Sequence, residues 1–147
     1  MEGSTETIVL MSIKPRYAEQ IMTVRKRWEY RKTNMVKLWG VPVYLYATKP
    51  AQRIVGRVVF DAVLSGDPEG VWGITNCWGG LGRGEYDRYF SGTSKAYAGH
   101  ICRVQCIDGP SLERIREAYD NDNGPWMPPQ SWMEIKHANP VFWGLRG

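Results

Sequence analysis

Within residues 10–33 the hydrophobic period changes twice, and this double change constrains the fold more than any other stretch of the chain. Residues 10–13 are a short apolar run of β character. Pro15 stands where a helix can begin, since its missing N–H is no loss in a first turn and its fixed φ suits one. Tyr17, Ala18, Ile21, Met22 and Val24 then recur at helical spacing and give one apolar face. From residue 27 the period drops to two: Arg27, Glu29 and Arg31 alternate with Trp28 and Tyr30, the pattern of a strand. Lys26 falls at the corner between helix and strand. The stretch therefore reads as strand, helix, strand, with Lys26, Glu29 and Arg31 gathered beside a helix end, a set of charges able to hold a polar ligand.

The rest of the chain keeps mixing strands with short helices. Residues 1–7 are polar and expected to be a flexible N-terminus, and the first strand is assigned to residues 8–13. Residues 41–48 (VPVYLYAT) give the clearest strand, with Val43, Leu45 and Ala47 on one face and Tyr44, Tyr46 and Thr48 on the other. Residues 53–64 form a long strand in which Gly56 marks a bulge or a close approach. Ser65, Gly66, Asp67 and Pro68 supply a turn. A helix at 71–77, a glycine-rich turn through Gly79, Gly80 and Gly82, and a helix at 84–90 come next. That glycine run lacks the Lys-Ser/Thr of a phosphate loop. Residues 95–107 are the last long strand, and Ser111 caps a helix that runs to Tyr119. Residues 121–129 are turn-rich, and 133–147 read as a C-terminal tail packed on or extending from the domain. The irregular connections exclude a doubly wound parallel sheet. They point to an α+β fold, a mixed pseudo-β-barrel of about five to six strands with short helices packed around it, over residues 8–132.

At 147 residues the chain fits one domain with a proper core. No apolar run is long enough to cross a bilayer, and the first residues lack a signal-peptide pattern. Three cysteines fit a reducing, cytoplasmic setting better than a disulfide framework. Through Phe60 there are eleven Lys and Arg against four Glu, a balance of +7; the remainder has eight against eleven, a balance of −3. A basic half with interleaved aromatics is compatible with an anionic partner such as nucleic acid, although composition alone favours a solvated basic face. His100, Cys102 and Cys106 share parity on one strand, but neither metal-ligand spacing nor the zinc-deaminase pattern is present. The cysteines are expected to be buried structural thiols, and no metal or other cofactor is expected. Neither histidine sits in a nucleophile elbow.

The string Ser12-Ile13-Lys14-Pro15-x-Tyr17-Ala18-x-x-Ile21, followed by Lys26-x-x-Glu29-x-Arg31, resembles the opening of the ASCH (activating-signal-cointegrator homology) domain family. Further matches follow in order: the strand ending in Thr48 with Lys49 and Pro50, then Ile54-Val55-Gly56, Tyr89-Phe90-Ser91-Gly92, Ala96-Tyr97-Ala98 and Pro128-Pro129-Gln130-Ser131. The chain departs from the family motif Gly-x-Lys-x-x-Glu-x-Arg at Val24, which stands where the family has glycine. A β-branched residue does not readily take a left-handed cap, so the corner is expected to differ. The resemblance implies a PUA-like fold and a cleft at Lys26, Glu29 and Arg31 that binds RNA, single-stranded nucleic acid or a nucleotide.

Lys14, Lys26 and Arg31 are then the groups to neutralise phosphate. Tyr46, Trp72, Trp78 and Tyr97 are candidates to stack a base. Glu29 can accept from a base or ribose, and the resemblance places Ser12 and Thr48 with them. Core packing is the plainer role for Trp28 and Tyr30. An alternative within the family is a hydrolase acting on RNA or on a modified nucleoside, with Lys26 and Glu29 as catalytic pair. The acetylcytidine amidohydrolases of the family use a Lys, a Thr nucleophile and a Glu. Lys26 matches the first and Glu85 falls loosely at the last. Glu29, however, stands where the hydroxyl is needed, so acyl transfer fails as written. A structural ion pair of Glu29 with Arg31 or Lys26 is the non-functional explanation of the motif. A protein-interaction module in transcription regulation is the third class.

Overall fold

The computed structural model describes residues 7–119 and 124–145. Along the chain run β1 (Ile8–Ile13), α1 (Pro15–Met22), β2 (Trp28–Arg31), β3 (Val43–Ala47), β4 (Arg53–Gly66), α2 (Pro68–Thr75), α3 (Arg83–Tyr89), β5 (Ala96–Cys106), α4 (Leu112–Ala118) and β6 (Trp132–Ile135). Short 3₁₀ turns lie at Val36–Leu38, Asn76–Trp78 and Pro140–Leu145. The strands form one mixed sheet in the order β2-β5-β4-β3-β1-β6. β1 and β3 run parallel, whereas β1–β6, β2–β5 and β3–β4 are antiparallel. This is the α+β, PUA-like arrangement expected, with six strands and four α-helices among the described residues. None of these helices is long and apolar enough to cross a membrane.

The chain divides into two compact units. One comprises Met1–Glu19, Pro42–Val58 and Gln105–Gly147; the other comprises Gln20–Val41 and Val59–Val104. In the first, β1 and β3 are buried along their whole length. The expected division of β3 into an apolar and a tyrosine face therefore does not correspond to a dry and a wet face. Parallel strands covered on both sides bury every residue, and Tyr44 and Tyr46 join Leu10, Ile54 and Ile115 in the core. The bulge expected at Gly56 is present: Leu45 lies opposite Gly56 but Tyr46 opposite Ile54, so Val55 is the extra residue. Ser111 caps α4 as expected, its hydroxyl accepting from Arg114 N–H at 3.1 Å. β6 was not foreseen. Its four residues pair with β1 from Ile8↔Ile135 to Met11↔Trp132.

In the second unit Tyr30, Tyr86, Phe90 and Val71 make the core. Tyr30 meets Tyr86 edge-on at 5.0 Å between ring centroids. β4 runs on to Gly66, so Ser65 and Gly66 end a strand rather than form a turn. Asp67 then caps α2, its carboxylate accepting from Gly70 N–H at 2.9 Å. The expectation for Val24 is overturned: it takes φ +60° and closes the corner as a glycine would. Arg25 N–H and Lys26 N–H both reach back to the Gln20 carbonyl, at 2.8 and 3.1 Å. Its side chain is exposed, so the conformation meets no packing clash in addition to its intrinsic strain. The expectation of buried thiols is also overturned, since Cys77, Cys102 and Cys106 are all exposed. Strand parity put the last two on one side of β5 but could not tell which faces are covered.

Candidate functional site

The candidate residues fall into two groups, one in each unit. Lys26, Glu29, Arg31, Trp72, Trp78 and Tyr97 belong to the second unit; Ser12, Lys14, Tyr46 and Thr48 belong to the first.

β2 places Glu29 and Arg31 two residues apart and therefore on one face. Arg31 grips the Glu29 carboxylate through Nε at 2.9 Å and Nη2 at 2.8 Å. Lys26 Nζ lies 3.6 Å from the other carboxylate oxygen and donates to the Gly79 carbonyl at 2.5 Å. Lys26, Glu29 and Arg31 are only 2%, 5% and 9% exposed. Burial holds the Lys26 ammonium below its usual pKa, against the opposing pull of Glu29. Charges so hidden persist only when paired and hydrogen-bonded, and here each has its partner. Next to Lys26, Arg27 N–H donates to the Trp78 carbonyl at 2.7 Å. The corner thus grips two successive carbonyls of the glycine-rich turn.

That turn is pressed close to the motif. A Cβ at Gly79 would collide with the Tyr30 hydroxyl. Gly80 has φ +79°, and a Cβ there would lie 3.0 Å from Lys26 Cδ. The Tyr30 hydroxyl is paired with Thr75 Oγ1 at 2.7 Å, and burial raises its pKa. Trp72 is half-buried against Tyr86 at 4.8 Å, with the Arg83 guanidinium 5.3 Å from its ring centre. Trp78 is exposed, with the Arg27 guanidinium 5.7 Å from its ring centre. Tyr97 is half-buried and lies opposite Arg31 in the β2–β5 register.

In the first unit Ser12 and Tyr46 are register partners in the β1–β3 pair. Ser12 Oγ donates to the Pro129 carbonyl at 2.6 Å and its N–H to the Ser131 carbonyl at 2.9 Å. Lys14 is exposed and its carbonyl starts α1 by accepting from Tyr17 and Ala18 N–H. Thr48 N–H donates to the Ile13 carbonyl at 3.0 Å. The Tyr46 ring is 2% exposed, but its hydroxyl makes no hydrogen bond to a described residue. Burial raises its pKa, with the Arg116 cation opposing. Arg116 lines an open groove of about 700 Å³ with Gln52, Ser111 and Glu113. It spends one N–H on the Trp126 carbonyl at 2.9 Å and one on Met127 Sδ at 3.3 Å. A guanidinium carries five such donors, and these are the two that Arg116 spends on described residues. Neither Arg116 nor Gln52 was a candidate from sequence. Nothing local distinguishes an arginine in a short amphipathic helix from any other surface arginine.

Among the described residues no group of three His, Cys, Asp or Glu could hold a metal ion. His100 instead pairs with Asp61 at 2.7 Å and meets Trp28 edge-on.

No family model matches the chain. The chain is 28% identical over 126 residues to a protein of Zymomonas mobilis named "ASCH domain-containing ribonuclease", covering 84% of this chain and 82% of that one. The crystal structure of ASCH from Zymomonas mobilis superposes with a TM-score of 0.80 at 26% identity, over 93% of this chain and 92% of that one. The N-terminal domain of Staphylothermus marinus McrB shares the fold alone, with a TM-score of 0.55 at 11% identity over 95% and 94% of the two chains. The motif order, the fold and these likenesses agree: the chain is similar to ASCH domains and has a PUA-like fold.

Proposed function

We propose that this chain binds RNA, as a single strand or a nucleotide, and that Tyr46 and Arg116 meet the ligand. The observation that carries this reading is the Tyr46 hydroxyl. Its ring is packed in the core and so fixed, while its polar end has no hydrogen bond among the described residues. A fixed hydroxyl without a partner among the described residues, close to a guanidinium that spends two of its five donors on described residues, suits a phosphate or ribose oxygen. RNA as the ligand class is supported by the likeness to a protein named a ribonuclease and by the net charge of +4. On this reading Ser12 and Thr48 shape the backbone around Tyr46. The Lys26, Glu29 and Arg31 trio acts indirectly, because all three are buried and hold one another.

The experiment is fluorescence anisotropy of a labelled short single-stranded RNA at low and moderate salt. Affinity is expected to fall with salt, and Tyr46→Phe and Arg116→Ala each to weaken it about tenfold, the effect of one hydrogen bond to a charged group. Absence of binding at low salt would overturn the proposal.

RNA hydrolysis is the second reading, favoured by the relative's name. The raised pKa keeps Tyr46 protonated at neutral pH. It would therefore serve as a donor to phosphate or to a leaving oxygen and not as a base. Cleavage of labelled RNA, lost in Tyr46→Phe, tests it.

A further inference from the structure

We propose that Trp78 is a base-stacking platform for single-stranded RNA, flanked by Arg27, and that Lys26, Glu29 and Arg31 are its positioning device. The inference rests on the RNA reading above and extends it to a separate set of residues. A single exposed tryptophan needs no explanation by itself. The way its backbone is held does. The carbonyls of Trp78 and Gly79 are taken by Arg27 N–H and Lys26 Nζ, at 2.7 and 2.5 Å. Of the glycines that follow, Gly79 lies so close to Tyr30, and Gly80 to Gln20 Oε1 and Lys26, that neither tolerates a Cβ without rearrangement. The second unit therefore hides a lysine at 2% exposure in order to fix the peptide beside a side chain that is 51% exposed.

Burying a charged group is unfavourable and needs compensation. Glu29 supplies it for Lys26, and Arg31 in turn orients Glu29. The trio accordingly works as one lock on the turn that carries Trp78. A ring presented on a fixed backbone loses little further freedom when a base stacks on it. The surroundings suit an anionic strand more than an apolar protein face. Arg27 stands beside the ring within the run Arg25, Lys26, Arg27, and this unit has ten Lys and Arg against six Asp and Glu, a balance of +4. Cation and aromatic face together match the phosphate and the base of a single strand.

The test compares a short single-stranded RNA with an abasic ribose-phosphate strand of the same length. Binding is followed by anisotropy, and folding of each variant is checked by circular dichroism. Trp78→Ala is expected to weaken RNA binding about tenfold and to leave abasic-strand binding unchanged, while Trp78→Phe keeps most of the affinity. Lys26→Met should reproduce the loss in the wild-type background and add nothing in the Trp78→Ala background, which a merely structural lysine would not do. Should Lys26→Met fail to fold, the surface variants at Trp78 decide the matter alone. RNA affinity unchanged in Trp78→Ala, with Tyr46→Phe still weakening it, would overturn this inference and spare the proposed function. A wild-type protein that binds no RNA would overturn both.

Discussion

Glu29 and Tyr46 are hidden from water to the same degree, at 5% and 2% exposure, and yet their polar atoms are treated differently. Both oxygens of Glu29 are engaged by cations of its own unit. The Tyr46 hydroxyl meets no hydrogen-bond partner among the described residues and feels only the nearby charge of Arg116. Full satisfaction makes a polar group part of the scaffold, since removing any member strands the others. A missing partner on a fixed ring leaves bonding capacity for something else. The Lys26, Glu29 and Arg31 motif is thus the scaffold-like region, and the polar atom without a described partner lies outside it.

Variants can break this contrast. Glu29→Gln should do most damage: it leaves two buried cations without a counter-charge and should cost about 3–5 kcal/mol in urea unfolding. A loss below about 1 kcal/mol, the scale of an exposed pair, would remove the lock. Gly79→Ala forces a methyl into the Tyr30 hydroxyl and should cost about 1–3 kcal/mol in the same assay. Val24→Gly should stabilise by about 1 kcal/mol in thermal melting, because it relieves a left-handed β-branched residue. An unchanged or lower melting temperature would mean the strain is absorbed elsewhere.

The pH dependence sharpens the same point. Lys26 has a folded pKa below the unfolded 10.5, so the native state binds this proton less well than the unfolded chain. Stability should therefore rise as pH climbs from the folded pKa towards 10.5. Tyr86, pushed up from 10.0 to about 12, acts the other way: its contribution is complete below 10 and is lost between 10 and about 12. Denaturation at stepped alkaline pH should show the rising limb in the wild type, and Lys26→Met should abolish it. The smallest effect on stability belongs to Tyr46→Phe. No hydrogen bond to a described residue is lost, so unfolding should change by about 0.5 kcal/mol or less, while RNA affinity falls.

Local signals carried much of the fold. Pro15, the shift to period two at Trp28, the bulge beside Gly56 and the Ser111 cap each depend on neighbours within a few residues. What escaped depends on distant ones. β6 is four residues long with Glu134 among them, and only pairing with β1 makes it a strand. Parity could not show that both faces of β3 are covered or that Cys102 and Cys106 face water. Val24 adopts a conformation its side chain disfavours, since the two N–H groups returning to Gln20 outweigh local preference. Lys26, Glu29 and Arg31 were legible as a charged set, but their mutual distances and burial were not. Arg116 became visible only once Tyr46 and the groove it lines were in place.

The pairing of β1 with β6 bears on how the chain is made. Ser12 donates to the carbonyl of Pro129, 117 positions further on, and the strand pairing spans a similar distance. During synthesis β1 can dock on β3 early, but its other edge stays open until residues near Ile135 leave the ribosome. In that interval six residues that the finished fold buries, five of them apolar, form an unsealed edge of the kind that recruits other chains. Long-range closure of this type slows folding. Ribosomes stalled before Trp132 should hold a nascent chain that depends on chaperones, and one released beyond Ile135 should not.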